Sequence, residues 1–454
     1  MKATRRRVIV GAAGAVAGAA GLYGLVERLT ETPVRASDAL APRGPEQHLL
    51  QGVVVRQDSG VEVLVPPLHH ELVTARVIVD RADARAAQSA LEEKLVELEA
   101  AYPTTPAGLG VTVAWALPYF RRLVPAQWEG LQPIDRRAGR PALLDARRFP
   151  SDADDTLLES NDVAVLLRSD SLDHIAHAEQ ALFDDAGVLE RTTVRKGFAG
   201  GGLPRKMALA AGISGAELIP EQAELFLGFT STLAHNLGPG KIANLETLGI
   251  VDIPHGYFAG GTHVHVSHMY ESLEGWYLNM DHDVRVHTTF RPGLTVPPGT
   301  LTVAQDPDDV ADVADVSRDY RAHGAIGHSS SVQPASRLQM DHVGPDGAVY
   351  AKGTAIPQRA DFNTLDNPVF WSADGSHSEE PAAGVHFVVF NPSSDDFNRV
   401  RLAMDGVMPD GTVLEFVPRA GGQGFNSVLQ TTRRQNFLVP PRKRRSFPLA
   451  ELAG

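Results

Sequence analysis

Ala75-Arg76-Val77-Ile78-Val79-Asp80, the segment Ala82–Ala101 and Gly110-Val111-Thr112-Val113-Ala114-Trp115 follow one another early in the chain, and their order decides the fold. The first and last are short, β-branched and apolar, so they predict strands. Between them Ala86, Leu91, Leu95 and Leu98 recur at helical spacing, which predicts an amphipathic helix. Downstream, Asp162-Val163-Ala164-Val165-Leu166-Leu167 reads as another strand and Leu172–Leu182 as a second helix. Upstream, Leu49–Val55 is a further strand candidate. A strand–helix–strand–strand–helix order predicts a ferredoxin-like α+β unit with an antiparallel sheet.

The second half repeats the rhythm. Thr262–His268 and Gly384–Phe390 read as strands, and Glu271–Asn279 as a helix. Asp395–Met404 reads as a helix behind the start signal Pro392-Ser393-Ser394. Gly411–Phe416 and the turn at Gly421–Gly424 complete the pattern. The polar, Pro- and Asp-rich stretch from Pro292 to Gly324 reads as a surface loop, and one of that length is usually functional or disordered. At 454 residues the chain exceeds what one core usually organises. The expected division is a signal segment 1–36, a linker 37–48, an N-terminal half 49–215 and a C-terminal half 216–454.

Composition excludes several functions. There is no cysteine, which removes disulfides, thiolate zinc sites, iron–sulfur clusters and thiol catalysis. The formal net charge is −13, while residues 1–36 carry six basic and two acidic side chains; −13 less +4 leaves the remainder at −17. Such a surface disfavours nucleic acid and anionic membranes. The run Pro441-Arg442-Lys443-Arg444-Arg445 reads as a solvated tail. At the start, Arg5-Arg6-Arg7 precedes an Ala/Gly-rich apolar run ending near Val26, the layout of an export signal. The consecutive arginines resemble a twin-arginine (Tat) signal, which implies passage through the Tat translocase to the periplasm, cell surface or exterior. Val34-Arg35-Ala36-Ser37 offers a loose cleavage site.

The chemistry-bearing residues lie between Gly228 and Phe362. A Gly-Phe turn opens Gly228-Phe229-Thr230-Ser231-Thr232. His328 sits in the small-residue stretch Gly324-Ala325-Ile326-Gly327-His328-Ser329-Ser330, and Arg359 follows in Gln358-Arg359-Ala360-Asp361-Phe362. One imidazole to bind iron and one guanidinium to meet peroxide are what a haem pocket requires. A competing reading is a Zn²⁺ or Cu²⁺ site. His263 and His265 fall on one face of a strand, with His268, His282 and His287 nearby.

Taken in order, several segments resemble the dye-decolourising (DyP-type) haem peroxidases. Leu109–Phe120 resembles that family's "TVGFGPxLF" strand, and Gly228–Thr232 stands where it has "GFxDG". Phe258–Trp276 is similar to "GSYxxVRRIxxxxxxW", Gly384–Phe397 to "GLLFxxYQxDPxxxF", and Gln435–Pro441 to the terminal block. The resemblance covers most of the mature chain and is nearest to a Tat-exported branch in which GFxDG is altered. It implies two ferredoxin-like halves with antiparallel sheets, a dimeric α+β barrel, holding haem b (iron protoporphyrin IX) in the C-terminal half. His328 would be the iron ligand, with Asp395 or Asp396 holding its second nitrogen. Arg359 would be the catalytic and cofactor-facing guanidinium, and Ser231 would occupy the place of the catalytic aspartate. The implied activity is oxidation of a small organic reductant by hydrogen peroxide, with electrons entering at a surface aromatic such as Trp276 or Tyr277, by a chain able to form a homo-oligomer. Because a serine hydroxyl cannot act as a base near neutral pH, the same resemblance leaves open a non-catalytic haem-binding or haem-delivery protein.

Overall fold

The computed structural model describes residues 22–30, 42–58, 61–233, 245–253, 256–305, 309–345, 347–367, 380–414 and 424–453. The apolar run before Leu22 and the cleavage site around Ala36 lie outside the described residues, as does the turn at 421–423.

The N-terminal sheet is built from β1 (His69–Val77), β2 (Gly110–Trp115), β3 (Val163–Ser169) and β4 (Leu189–Phe198), all antiparallel in the order β2-β3-β1-β4. Helix α1 (Ala84–Ala101) connects β1 to β2, and α2 (Leu172–Glu179) follows β3. The apolar stripe of α1, Ala87, Leu91, Leu95 and Leu98, is buried against the sheet. The C-terminal sheet repeats this order. Its strands β5 (Thr262–Glu271), β6 (Phe362–Thr364), β7 (Gly384–Asn391) and β8 (Leu429–Val439) run β6-β7-β5-β8. Each half therefore has the ferredoxin-like strand order expected from the sequence.

Among the described residues these eight strands close into a ring, because each outer strand of one sheet meets an outer strand of the other. The seams are narrow: Leu438 pairs with Trp115, and Asn363 with Phe198. At the second seam a side chain on Gly197 would lie 2.3 Å from the carbonyl oxygen of Asn363, so this position admits no Cβ. Inside the ring Leu72, Ala114, Leu166, Val264, Val388 and Phe390 form a packed core. Chain alternation sends the opposite set outward, beneath the helices.

Three expectations need correction. Residues 292–324 are not simply a loop. They contain helix α3 (Val313–His323), started by a reciprocal capping box between Asp312 and Asp315 and stopped by Gly324 in the left-handed conformation. The Asp-rich run that resembled a loop is the helix's N-terminal signal. Of the segment Gly411–Phe416, residues 411–414 contribute only a single bridge, Val413 to Val407, and 415–416 lie outside the described residues. The basic run at 441–445 is not a free tail. Arg445 is buried and bonded to Glu92 and Glu99 on α1, and Arg442 also reaches Glu99. This ties the end of β8 to the first half.

Residues 22–29, within the expected signal segment, are packed into the body. Leu22, Tyr23 and Val26 join the core that contains Phe198, Leu203 and Phe226. The Tyr23 hydroxyl donates to Asp366 Oδ1 (2.9 Å) and accepts the Leu365 N–H (3.0 Å). Leaving a buried donor and a buried acceptor unsatisfied costs about 1–3 kcal/mol each. Tyr23→Phe is therefore expected to lower the urea-unfolding free energy by roughly 2 kcal/mol. An unchanged midpoint would mean that this segment is not docked in solution.

Candidate functional site

Helix α4 (His328–Ser336) starts at Gly327, whose backbone lies against Phe290. A Cβ on Gly327 would stand 2.4 Å from the Phe290 carbonyl oxygen, which itself accepts the Ser330 N–H at 3.0 Å. That close approach fixes the first turn and so the direction of the His328 side chain. A second helix, α5 (Ser394–Met404), lies across the outer face of β5 and β7. It too is capped reciprocally, by Ser393 and Asp396.

Between this helical layer and the outer face of the C-terminal sheet lies a cavity of about 940 Å³. That is at the upper end of the usual range for small-molecule and cofactor sites, roughly 300–1,000 Å³. Phe397, Val400, Met404, Phe425, Val389 and Val332 supply apolar wall. Arg337, Arg359, Arg401 and Arg434 bring positive charge to it, with Glu271, Asp361 and Asp152 among the acids, and His328 adds an imidazole. The imidazole of His328 is half-buried against the cavity, with the ring of Phe425 4.6 Å away. Its Nδ1 is buried and has no hydrogen-bond partner among the described residues. Burial, reinforced by the positive charges of Arg359 and Arg401, lowers its pKa to about 3, so the ring is neutral at pH 7. A neutral imidazole keeps one nitrogen lone pair with which it can ligate a metal.

Arg359 reaches the same cavity from a two-residue strand paired to β7, opposite Val389. Its guanidinium is 43 % exposed and lies 3.6 Å from Asp361. Beside it Arg337 is half-buried, and desolvation together with repulsion from Arg359 lowers its pKa to about 10. Arg401 and Arg434 are held more tightly. Arg401 pairs with Asp405 (2.8 Å), and Arg434 with Asp152 (2.6 Å), a residue of the first half.

The structure thus brings His328 and Arg359 to one cavity. Ser231 lies on a short strand (Thr230–Leu233) in parallel register with Val303, and its side chain lies outside the described residues. Asp395 and Asp396 do not serve His328. They are bound to Arg140 and Arg137 of the first half, and Asp396 is also bonded to Ser393. Two guanidiniums face the imidazole in place of the expected anion. Trp276 is fully buried, with its indole N–H donated to the Leu227 carbonyl, so it is not a surface electron entry point. Tyr277 likewise donates its hydroxyl to the Phe226 carbonyl.

The histidines of β5 do not form a metal centre. His263 and His265 do share a face, the one under α5. There His263 Nε2 lies 2.7 Å from Ser394 Oγ, and His265 is bonded to Asn436 and Ser267. His268 turns to the other side, 4.8 Å from His386. His282 contacts the Val296 carbonyl through Nε2. Among the described residues no three potential ligands converge on a common point.

One residue was not anticipated. The alternation that aligns His263 and His265 continues through Ser267 and Met269 to Glu271, whose carboxyl lines the cavity while only 6 % exposed. Burial and the neighbouring charge of Asp361 raise its pKa to about 8. The period-two pattern carries the signal, because the strand continues past His268 to Glu271.

Comparison with solved structures places this architecture. The chain is similar to DtpA from Streptomyces lividans, solved in an oxyferrous complex, at 18 % identity and a TM-score of 0.52, covering 88 % of this chain and 96 % of that one. It is similar to a DyP-type peroxidase from Cellulomonas bogoriensis at 18 % identity and a TM-score of 0.51, over 89 % and 99 % of the two chains. The encapsulated DyP-type peroxidase from Mycobacterium smegmatis matches at 13 % identity and a TM-score of 0.50, over 84 % and 95 %. At such identities the likeness establishes the fold, which is that of the DyP-type peroxidases. No curated protein matches the chain. A family model described as a family of unknown function, DUF7405, matches residues 67–441, and the chain belongs to that family.

Proposed function

We propose that this chain is an exported haem b-dependent peroxidase that consumes hydrogen peroxide and oxidises a small organic donor, with the haem held in the C-terminal half (216–454). The observation that carries this reading is the shared cavity of His328 and Arg359. A neutral imidazole can ligate iron through its lone pair, the apolar walls suit a macrocycle, and the arginines supply counter-charges for propionates. When bound, haem would supply the two electrons that cleave the peroxide O–O bond. Arg359 would stabilise the negative charge that builds on the departing oxygen, and its exposure to the cavity leaves the guanidinium free to turn toward it. The twin-arginine segment supports export by the Tat translocase, and assembly as a homo-oligomer accords with the DyP-type fold.

A second reading is a haem-binding or haem-delivery protein without turnover, favoured by Ser231 in place of the family's aspartate. Protein made with adequate haem supply is expected to show a Soret band and to bleach a peroxidase dye with added peroxide. Arg359→Leu is expected to keep the band and lose roughly 10²–10³-fold in turnover. A Soret band without turnover in the parent selects haem delivery. No Soret band under any loading condition contradicts both readings.

A further inference from the structure

We infer that Glu271 is the acid–base group of this cavity, moving the proton between the two oxygens of peroxide. The inference rests on the peroxidase reading above. Glu271 ends the β5 run that alternates onto the cavity wall, with Met269 and Ser267 before it. Its side chain is more than nine-tenths buried, and its Oε2 has no hydrogen-bond partner among the described residues. A buried carboxyl with an open acceptor site is costly unless something occupies that site. Asp361, whose charge acts on Glu271, also pairs with Arg359 at 3.6 Å, and all three residues line the same cavity.

The charged and titratable groups facing Glu271 are few. Asp361 opposes its ionisation from the segment before β6, and Tyr277, with Arg285 5.0 Å over its ring, is within reach of its charge. Burial first, and then the charge of Asp361, raises its pKa to about 8, and no cation pairs with it directly among the described residues to oppose them. A carboxyl poised near the working pH both accepts and returns a proton effectively.

The ionised carboxylate takes the proton from one peroxide oxygen, breaking that O–H bond. The O–O bond then breaks with both its electrons leaving on the other oxygen, and the carboxyl returns the proton there, so that this oxygen departs as water. Haem, when bound, would supply the two electrons that replace those of the O–O bond. Ser231 is not required for the transfer.

The test uses Glu271→Gln and Glu271→Asp in the full chain, with two readouts. In protein without haem, difference infrared spectroscopy is expected to show a protonated carboxyl band that disappears with a midpoint near pH 8 and is absent from Glu271→Gln. In haem-loaded protein with an unchanged Soret band, Glu271→Gln is expected to slow reaction with peroxide by about 10²–10⁴-fold, and Glu271→Asp by less. The parent rate should also rise with pH up to about 8, and that rise should vanish in Glu271→Gln. If Glu271→Gln reacts at the parent rate, the assignment of Glu271 is wrong while the peroxidase reading stands. If the parent binds haem and does not react with peroxide, the peroxidase reading itself has failed and the assignment falls with it.

Discussion

At pH 9, Glu271→Gln is expected to unfold at a higher urea concentration than the parent, although it removes a charge from the cavity. The folded carboxyl titrates near 8 and the unfolded one near 4.5. Between those values the folded state holds a proton that the unfolded state has already released, so raising the pH pulls the equilibrium toward unfolding. The stability associated with the neutral acid is present in full below pH 4.5 and is gone once the pH passes about 8. Integrated over that interval, the difference reaches roughly 4–5 kcal/mol as an upper bound, reduced by any water that enters the cavity. Parent and variant should have nearly equal stability at pH 4.5 and diverge steadily above it. Parallel stability curves from pH 4.5 to 9 would show that Glu271 ionises freely.

The second large effect is at Asp405, buried behind the cavity-lining residues Arg401, Asn426 and Ser151. Its carboxylate is fully buried and receives the Arg401 guanidinium (2.8 Å), the Asn426 amide (3.1 Å) and the hydroxyl of Ser151 (2.5 Å). Arg401 also contacts Asp152, which in turn holds Arg434 on β8. A loop of the first half is thus joined to α5 and β8 of the second through buried charges. Neutralising Asp405 leaves the buried guanidiniums of Arg401 and Arg434 sharing the single carboxylate of Asp152, and breaking a buried pair in this way typically costs about 3–5 kcal/mol. Asp405→Asn keeps the shape and most of the hydrogen bonding but loses the compensating charge. It is expected to be destabilised by about that amount in urea unfolding. A shift below about 1 kcal/mol would mean that water already reaches Arg401.

The halves of this fold were legible because their signals are local. The stripe on α1, the β-branched runs of β2 and β3, and the Ser393 start of α5 each lie within a few residues. Ring closure was not, since it depends on two seams of one residue pair each, with partners more than 160 residues apart in sequence. The same distance hid the embrace of Arg442 and Arg445 by α1, which made a core contact look like a solvated tail. In α3 the error had the opposite cause: a capping aspartate and a loop aspartate are the same letter, and only the apolar positions behind it distinguish them.

The site was half legible. Small residues around His328 and the later Arg359 pointed to one cavity, and both line it. The anion expected behind His328 was misassigned because Asp395 and Asp396 sit at the N-terminus of α5, where their partners are arginines of the other half. Glu271 was missed because its character comes from burial and from Asp361, which is distant in sequence. An acid at a strand's end has no local mark that separates it from an ordinary surface glutamate.

His328→Gly, loaded with haem in the presence of free imidazole, tests the iron ligand directly. The expected result is a weakened and displaced Soret band without imidazole, restored to the parent position when imidazole fills the space left beside Phe425. A variant that keeps the parent spectrum with no added imidazole would show that another group binds the iron, and would remove His328 from the centre of this account.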